Sequence, residues 1–201
     1  MRIFTFKSKY PYGSNCYAVE SDGEFALIDP SLDFESVIST LGVDKSQFKY
    51  IIVTHAHFDH ILTANEWSQE LGLPITVPKK DEKSLSDPHF NCYKLFFNES
   101  NGYYGDTVGV SEGDKLPLGN TYFEVFETPG HTQGSSVFKI DSALFVGDTV
   151  FAEGGVGRTD LPGGNYFELA DSIKRILSFD ASFTVYPGHG PKTLVSKLMS
   201  F

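Results

Sequence analysis

Histidine and aspartate are concentrated in one short stretch of this 201-residue chain, residues 55–60. The stretch reads His-Ala-His-Phe-Asp-His and holds three of the six histidines in the protein. Neutral imidazole is the commonest side-chain donor to zinc and iron, and a carboxylate often completes the ligand set. A solvated loop has no reason to concentrate imidazoles in this way, so the stretch predicts a metal site.

The spacing within this stretch divides the side chains between two positions. His55 and His57 are two residues apart, so both side chains project to the same side of an extended backbone. Asp59 and His60 follow after a turn, and they are therefore expected to face a second metal position. A helix is expected to start near His60, and its positive N-terminal end would favour a bound hydroxide or an anionic substrate.

Three further metal-type side chains each follow the end of a predicted strand and lie next to glycine. They are His131 in Thr-Pro-Gly-His-Thr, Asp148 in Gly-Asp-Thr and His189 in Pro-Gly-His-Gly. Glycine permits close approach of the backbone to a bound group. A single histidine after a strand is usually an ordinary residue, but the series together with residues 55–60 predicts ligands at one site. His89, the remaining histidine, is expected to lie on the surface.

Short strands and helices separated by tight turns carry these side chains. Alternating or fully apolar runs predict strands, while capping residues and apolar spacings of three and four predict helices. The predicted strands cover residues 2–6, 16–20, 24–29, 50–53, 75–77, 121–127, 136–140, 143–146 and 183–186, and the predicted helices cover 34–41 (with Asp33 as N-cap), 61–71, 166–178 and 193–201. The two halves repeat a similar order, which predicts an α/β fold of two packed sheets with helices outside them.

Residues 79–105 interrupt this order with aromatic, asparagine and serine residues that show no clear period. One short helix is expected near residues 81–86. Loops of this length are uncommon in compact domains and often form lids or binding loops. A surface elaboration that packs its own aromatic residues is the other interpretation. The length of the chain predicts a single domain over residues 1–201.

The composition is typical of a soluble globular protein. Apolar residues make up 40% of the chain, and 26 acidic against 16 basic residues give a net charge of −10. This acidic balance argues against a nucleic-acid partner, and no segment has the roughly 20 apolar residues that a membrane helix requires. Two cysteines, Cys16 and Cys92, are too few for a disulfide framework and predict a reducing, cytoplasmic compartment. The oligomeric state is left open by the sequence.

The motifs around these candidate ligands closely resemble, in their order, those of the metallo-β-lactamase superfamily. The resemblance spans the chain from Asp29 to His189 and implies a four-layer αββα sandwich with a two-metal site between its halves. By the family pattern, His55, His57 and His131 hold the first metal, Asp59, His60 and His189 hold the second, and Asp148 bridges both. Asp29, in Leu-Ile-Asp-Pro, matches a family position that supports the site from outside the ligand set.

Within that superfamily, the chain is most similar to the short members of the glyoxalase II group, the hydroxyacylglutathione hydrolases. The similarity lies in residues 147–164, which read GDTVFAEGGVGRTDLPGG. Arg158 lies where related enzymes place a cation for the glutathione moiety, and an internal ion pair with Asp160 is the alternative interpretation. Full-length members add a C-terminal helical region that contacts glutathione, whereas this chain continues for about twelve residues after His189. Gln133 stands where short relatives commonly have proline.

The resemblance and the ligand set together imply a hydrolase in which a hydroxide bridges two divalent ions. Zinc is the first expectation, with iron and manganese as alternatives, because histidine and carboxylate ligands accept all three. Asp59 and Asp148 are expected to take part in catalysis, and Arg158 in binding the substrate. The expected substrate is a small-molecule thioester such as an S-2-hydroxyacylglutathione. A thiolate, whose thiol has a pKa of about 8.5, leaves without a strong general acid.

Other functions of similar sequences are alternatives to thioester hydrolysis. Persulfide dioxygenases resemble glyoxalase II but use one iron, which is bound by residues matching His55, His131 and Asp148. Hydrolysis of another ester or of a lactone is compatible with the same ligands. A metal-binding module without turnover would not require an open two-metal site. Zinc β-lactamases often include a cysteine ligand, and neither cysteine of this chain falls in the motif.

Overall fold

The computed structural model describes residues 1–198 of the chain, apart from the side chain of Glu153. Within this range the strands are β1 (Arg2–Lys7), β2 (Asn15–Ser21), β3 (Glu24–Ile28), β4 (Phe48–Ile52), β5 (Ile75–Pro78), β6 (Thr107–Val110), β7 (Lys115–Leu118), β8 (Thr121–Glu127), β9 (Ser136–Ile140), β10 (Ala143–Gly147), β11 (Thr184–Pro187) and β12 (Thr193–Leu194). The α-helices are α1 (Phe34–Leu41), α2 (Ala64–Leu71), α3 (Tyr93–Phe97) and α4 (Tyr166–Leu177).

The strands form two six-stranded sheets, with the orders β1-β2-β3-β4-β5-β6 and β12-β11-β10-β9-β8-β7. In the first sheet the pairs β3–β4, β4–β5 and β5–β6 are parallel, and in the second sheet β10 and β11 are parallel. Ligand-bearing segments therefore leave β4, β10 and β11 at the carboxyl ends of parallel strands, where α/β folds commonly place their sites.

The core lies between the two sheets and beneath the helices on their outer faces. Tyr17 of the first sheet packs edge-on against Phe145 of the second, with ring centroids 5.3 Å apart. The fully buried Trp67 attaches α2 to the outer face of the first sheet, and Ile176 attaches α4 to the second. The predicted four-layer αββα sandwich is confirmed.

Helix ends follow the capping residues that the sequence indicated. The carboxylate of Asp33 accepts a hydrogen bond of 3.0 Å from the backbone N–H of Ser36 at the start of α1. The helices α1 and α2 end at Gly42 and Gly72, which both have a φ of 64°, in the left-handed region that favours glycine. Within residues 1–198, no helix is long and apolar enough to cross a membrane.

Three predicted helices differ from the structure. The helix predicted over 61–71 begins only at Ala64, because Phe58–His60 form a 3₁₀ turn before it. The helix predicted near 81–86 is wrong, since the buried Asp81 ends a 3₁₀ turn over Lys79–Asp81 and accepts hydrogen bonds from other loops. The helix predicted over 193–201 is also wrong. Thr193–Leu194 pair with β11 instead, a 3₁₀ turn follows, and residues 199–201 lie outside the described residues.

The irregular segment 79–105 packs against the body of the protein and also leaves aromatic rings exposed. Its buried residues include Leu85 and Tyr103, which join the core beneath the first sheet. In α3, Phe96 and Phe97 contact the ring of Phe58, with centroids 5.0 and 5.2 Å away. The segment therefore brings apolar side chains next to residues 55–60. Its role as a lid or binding loop stays a prediction.

Candidate metal centre

The seven predicted ligands meet at one edge of the two sheets. His55, His57, Asp59 and His60 follow β4, His131 follows β8, Asp148 follows β10 and His189 follows β11. Their donor atoms form a three-histidine group (His55, His57 and His131) and a carboxylate–histidine group (Asp59, His60, Asp148 and His189), each with its atoms within 4.8 Å of one another. The structure thus brings every predicted ligand to one place.

The three-histidine group directs nitrogen atoms without partners into a buried space. The ring centroids of His55, His57 and His131 lie 4.6 to 4.8 Å apart. Within residues 1–198, the three Nε2 atoms have no hydrogen-bond partner. Leaving one buried polar atom unpaired costs about 1–3 kcal/mol, so three that face each other need a common partner. Three imidazole lone pairs are a usual donor set for a divalent ion, and these residues fit one.

Asp148 belongs to the carboxylate–histidine group and also faces the three-histidine group. Its Oδ1 is 3.3 Å from Nε2 of His60, and its Oδ2 is 3.5 Å from Nε2 of His189. The same Oδ2 is 3.7 Å from Nε2 of His131, which belongs to the three-histidine group. On the far side, Oδ2 of Asp59 is 3.0 Å from Nε2 of His189. A carboxylate in this position faces both groups, and the whole cluster is consistent with a dinuclear site for divalent metal ions.

Burial keeps two imidazoles of the three-histidine group neutral. It lowers the pKa of His55 well below the usual value, and the neighbouring His60 and His131 lower that pKa further. Burial, together with His131, lowers the pKa of His57 to about 3. A neutral imidazole offers the lone pair that a metal ion requires. Both side chains are therefore in the ligating form at neutral pH.

The carboxylate–histidine group gathers negative charge around its histidines. Burial opposes a charge on His60, but Asp29, Asp148 and Asp59 outweigh it and hold the pKa of His60 well above its usual value. Burial also opposes ionisation of Asp148, yet the adjacent His60 holds the pKa of that carboxyl well below its usual range. For His189, burial is outweighed by Asp59 and Asp148, so its pKa is raised. The carboxylates thus create a negative environment that favours a bound cation.

Hydrogen bonds that Nδ1 donates orient two of the candidate ligand rings. Oδ2 of Asp29 accepts from Nδ1 of His60 at 2.9 Å, and the same carboxylate accepts from the backbone N–H and the hydroxyl of Thr54. Nδ1 of His131 donates to the carbonyl oxygen of Arg158 at 2.8 Å. With the hydrogen on each Nδ1, Nε2 is the ring atom that faces the other candidate ligands, and a metal ion bound there would take the place of any proton on Nε2.

Asp81, which sequence reasoning missed, connects the loops that carry the three-histidine group. Its Oδ2 accepts hydrogen bonds from the N–H of Ala56 at 3.0 Å and from the hydroxyl of Thr132 at 2.7 Å, and its Oδ1 accepts from the N–H of Gly134 at 2.8 Å. Ala56 lies between two candidate ligands, and Thr132 follows His131. In the sequence, Asp81 stands in the charged run Lys-Lys-Asp-Glu-Lys, which is typical of an exposed surface and gave no signal of this role.

Two glycines are required by the close packing around the cluster. Gly147 has a φ of 51°, and a Cβ there would lie 2.5 Å from Oγ1 of Thr54. A Cβ on Gly188 would overlap Oδ1 of Asp148 and would lie 2.6 Å from Cε1 of His60. The glycines that the sequence places next to candidate ligands therefore leave room for the ligands themselves.

A pocket of about 410 Å³ opens onto both groups. Its base includes His57, Asp59, His131, Asp148 and His189, and its walls are mainly apolar, formed by Tyr12, Phe58, Phe96, Phe151 and Leu161 among others. A concave apolar pocket with a few convergent polar groups is the usual form of a small-molecule site. The candidate metal centre is thus open to a ligand from solvent.

Arg158 lines this pocket and is paired at the same time. Its Nε and Nη2 each donate a hydrogen bond of 2.7 Å to the carboxylate of Asp160. The internal ion pair considered from the sequence is therefore present, and the guanidinium still borders the pocket. His89 is exposed, as the sequence predicts, and lies outside both groups of candidate ligands.

Curated relatives resemble the chain over most of its length. A protein named "Probable metallo-hydrolase" from Streptococcus pyogenes is 32% identical over 196 residues, which cover 91% of this chain and 82% of that protein. The "Probable polyketide biosynthesis zinc-dependent hydrolase PksB" from Bacillus subtilis is 28% identical, covering 94% of this chain and 78% of its own. The similarity to these relatives therefore extends over at least nine tenths of this chain.

Solved structures and a family model agree with these relatives. The BLEG-1 B3 metallo-beta-lactamase superposes with a TM-score of 0.90 and 30% identity, covering 100% of this chain and 97% of that one. The di-iron-bound form of TTHA1623 gives a TM-score of 0.82 with 30% identity, covering 96% of this chain and 95% of that one. The model of the metallo-beta-lactamase superfamily matches residues 10–189. The chain belongs to the metallo-beta-lactamase superfamily and is a metal-dependent hydrolase of that superfamily.

Proposed function

We propose that this metal-dependent hydrolase cleaves thioesters, with an S-2-hydroxyacylglutathione as the model substrate. The observation that carries the proposal is the pocket above the two groups of candidate ligands. Besides those ligands, its described lining holds Tyr12, Cys92 and Arg158 as ionisable side chains, and burial raises the pKa of the Cys92 thiol to about 11. None of these is a strong acid, so the pocket suits a leaving group that departs without a proton. A thiolate, with a thiol pKa of about 8.5, is such a group.

The assignment of ligands follows the geometry of the two groups. We assign His55, His57 and His131 to the first ion, Asp59, His60 and His189 to the second, and Asp148 to both, because Asp148 faces both groups. Zinc is the proposed metal, since a zinc-dependent hydrolase is among the relatives. Iron is the alternative, since a similar structure binds two iron ions, and manganese accepts the same donors.

The proposed reaction divides the work between the ions and the side chains. Bound divalent ions would lower the pKa of water from 15.7 to about 7 and polarise the thioester carbonyl. Asp59 accepts the proton of the attacking water, whose oxygen then bonds to the carbonyl carbon. The carbon–sulfur bond breaks and its electron pair leaves with sulfur, which gives a carboxylic acid and a thiolate. Asp148 holds its position between the groups, and Arg158 binds the polar part of the substrate at the wall of the pocket.

Hydrolysis of a β-lactam is a second candidate, favoured by one specific observation. The BLEG-1 B3 metallo-beta-lactamase matches the whole chain with a TM-score of 0.90 and 30% identity. The amide nitrogen that leaves in that reaction is a poorer leaving group than a thiolate. The absence of a strong acid from the described lining of the pocket therefore favours the thioester.

A substrate panel on metal-loaded protein tests the proposal. S-lactoylglutathione, a lactone and a chromogenic cephalosporin are assayed for hydrolysis, and glutathione persulfide is assayed for oxygen consumption. We expect thiol release from S-lactoylglutathione to be the fastest reaction, and to be lost in His131→Ala but kept in His89→Ala. Oxygen consumption with one iron per chain would identify a persulfide dioxygenase instead, and a dominant cephalosporin activity would identify a β-lactamase.

The proposed setting is the cytoplasm, with a small-molecule substrate. Cys16 and Cys92 are both free thiols and both buried, which fits a reducing compartment. The net charge of −10 disfavours nucleic acid as a partner. Cell fractionation of the tagged protein checks the location.

A further inference from the structure

Two exposed aromatic rings from separate segments of the chain meet above the candidate metal centre. Tyr12 lies in the loop between β1 and β2, and Phe96 lies in α3 of the irregular segment 79–105. Their ring centroids are 6.1 Å apart, and both rings line the pocket. Tyr12 is 65% exposed and Phe96 is 42% exposed, so neither ring is placed there by burial in the core.

The backbone at Tyr12 is strained. Its φ of 71° lies in the left-handed region, which is rare for a bulky residue and which glycine occupies at no steric cost. Such strain lowers the equilibrium constant for folding by roughly fivefold to a hundredfold. It persists where the structure gains something from it. The gain in folding contacts is small for so exposed a ring. The position of Tyr12 over the pocket points instead to a contact with a ligand.

The apolar surface continues from these rings down to the candidate ligands. The ring of Phe58 lies 5.0 Å from that of Phe96, and Phe58 is the neighbour of Asp59 in sequence. Across the pocket, Phe151 lies 6.1 Å from the ring of His189. A substrate whose carbonyl lies at the ligands therefore has aromatic walls on both sides of it.

We infer that Tyr12 and Phe96 determine specificity by binding the acyl group, and that the protein prefers thioesters with a large apolar acyl group to those with a small polar one. This inference rests on the proposed thioester hydrolysis. The acyl group is bonded directly to the carbonyl carbon, so it lies between the walls next to the ligands. The thiol part extends towards Arg158, whose side chain is 54% exposed and whose charge is already paired with Asp160.

A series of glutathione thioesters that differ only in the acyl group tests this inference. S-acetyl-, S-butanoyl- and S-hexanoylglutathione are compared by kcat/KM on metal-loaded protein. Each buried methylene contributes about fourfold, so the hexanoyl ester is expected to exceed the acetyl ester by a factor on the order of 100. In Tyr12→Gly and Phe96→Ala this ratio is expected to fall about tenfold, because kcat/KM falls more for the hexanoyl ester than for the acetyl ester.

The variants are chosen so that misfolding does not imitate the expected result. Glycine accepts the φ of 71° at position 12, so Tyr12→Gly relieves strain while removing the ring. Tyr104 is also 65% exposed but does not line the pocket, so Tyr104→Ala is the matched control and is expected to keep the wild-type ratio. Calorimetric binding of S-hexylglutathione, which is not hydrolysed, gives a second measurement. Its affinity is expected to fall about tenfold in Tyr12→Gly.

The outcomes separate this inference from the proposed function. Equal or faster hydrolysis of the acetyl ester by the wild-type protein would overturn the apolar preference and leave thioester hydrolysis standing. An equal loss for all three esters in Phe96→Ala would contradict the placement of the acyl group. S-hexanoyl-N-acetylcysteamine carries the same acyl group on a different thiol. A preference for the hexanoyl group that disappears with this thiol would also contradict the placement of the acyl group. Hydrolysis of none of these thioesters would overturn the proposed function and this inference together.

Discussion

The hydroxyl of Thr132 donates a hydrogen bond of 2.7 Å to the buried carboxylate of Asp81, although 51 positions separate the two residues. The same carboxylate binds the N–H of Ala56, so it connects the loop of His55 and His57 with the loop of His131. The three-histidine group therefore depends on a residue that makes no hydrogen bond to its rings. Outer contacts of this kind hold ligands in the geometry that a metal requires.

Replacing this carboxylate by an amide is expected to weaken the first metal site. Asn at position 81 keeps the shape of Asp81, but its NH₂ group cannot accept the hydrogen bonds that one carboxylate oxygen accepts. We expect Asp81→Asn to lower zinc affinity by about 10–100-fold, as is usual for partners just outside a ligand set. Competition with a chromogenic chelator measures the affinity. Asp106→Asn, at an exposed position, is the control, and an unchanged affinity in Asp81→Asn would remove Asp81 from the site.

A methyl group at position 188 is expected to disrupt the carboxylate–histidine group. A Cβ on Gly188 would overlap Asp148 and would lie 2.6 Å from Cε1 of His60, and overpacking of this kind costs about 1–3 kcal/mol. Gly188→Ala should therefore lose metal from the second site, as measured by metal analysis. Its kcat in the thioester assay should fall at least tenfold. Gly155→Ala is the control, because its new Cβ would have its nearest neighbour, Cβ of Phe151, at 3.2 Å. Wild-type metal content in Gly188→Ala would contradict the packing described here.

The N-cap of α1 makes stability depend on pH. The ion pair with Lys9 and the hydrogen bond from the N–H of Ser36 lower the pKa of Asp33 to about 2, so the folded protein favours the ionised form. This contribution is complete above the unfolded pKa of about 3.9 and is lost as pH falls towards 2. Asp33→Asn keeps a side chain that caps the helix but loses the charge. Because Lys9 is exposed, the substitution should lower the free energy of unfolding at pH 6 by at most about 1 kcal/mol. Urea unfolding measures the free energies of unfolding of the wild-type protein and Asp33→Asn at pH 6, 4 and 3. The two values should converge as the pH falls, and a difference that grows in acid would contradict this assignment.

The candidate ligands could be identified from the sequence, because the types and the spacing of these residues indicate metal binding. The stretch 55–60 and the glycine-flanked His131, Asp148 and His189 indicated a metal site without any structure, and these side chains do converge. The layered fold was predictable for a similar reason, since alternating strands and capped helices are local signals. Asp33 and Gly42 mark the ends of α1 in both the sequence and the structure.

Features that depend on contacts between distant segments were not predictable. Asp81 stands among lysines and acquires its role only because folding buries it against Ala56 and Thr132. The final predicted helix failed because Thr193 pairs with Val185, and tertiary pairing of this kind overrides a helical pattern. The contact of Tyr12 with Phe96 also joins a loop and a helix that no local pattern relates.

The metal content of wild-type protein and of Asp148→Asn tests the dinuclear site most directly. Asp148 faces both groups of candidate ligands, with Oδ1 3.3 Å from Nε2 of His60 and Oδ2 3.7 Å from Nε2 of His131. Inductively coupled plasma mass spectrometry of zinc-loaded protein should find two zinc ions per chain in the wild-type protein and in the His89→Ala control. Asp148→Asn should retain one ion or none and lose at least about 100-fold in thioester hydrolysis. A single ion in the wild-type chain, or two ions with full activity in Asp148→Asn, would contradict a site bridged by Asp148.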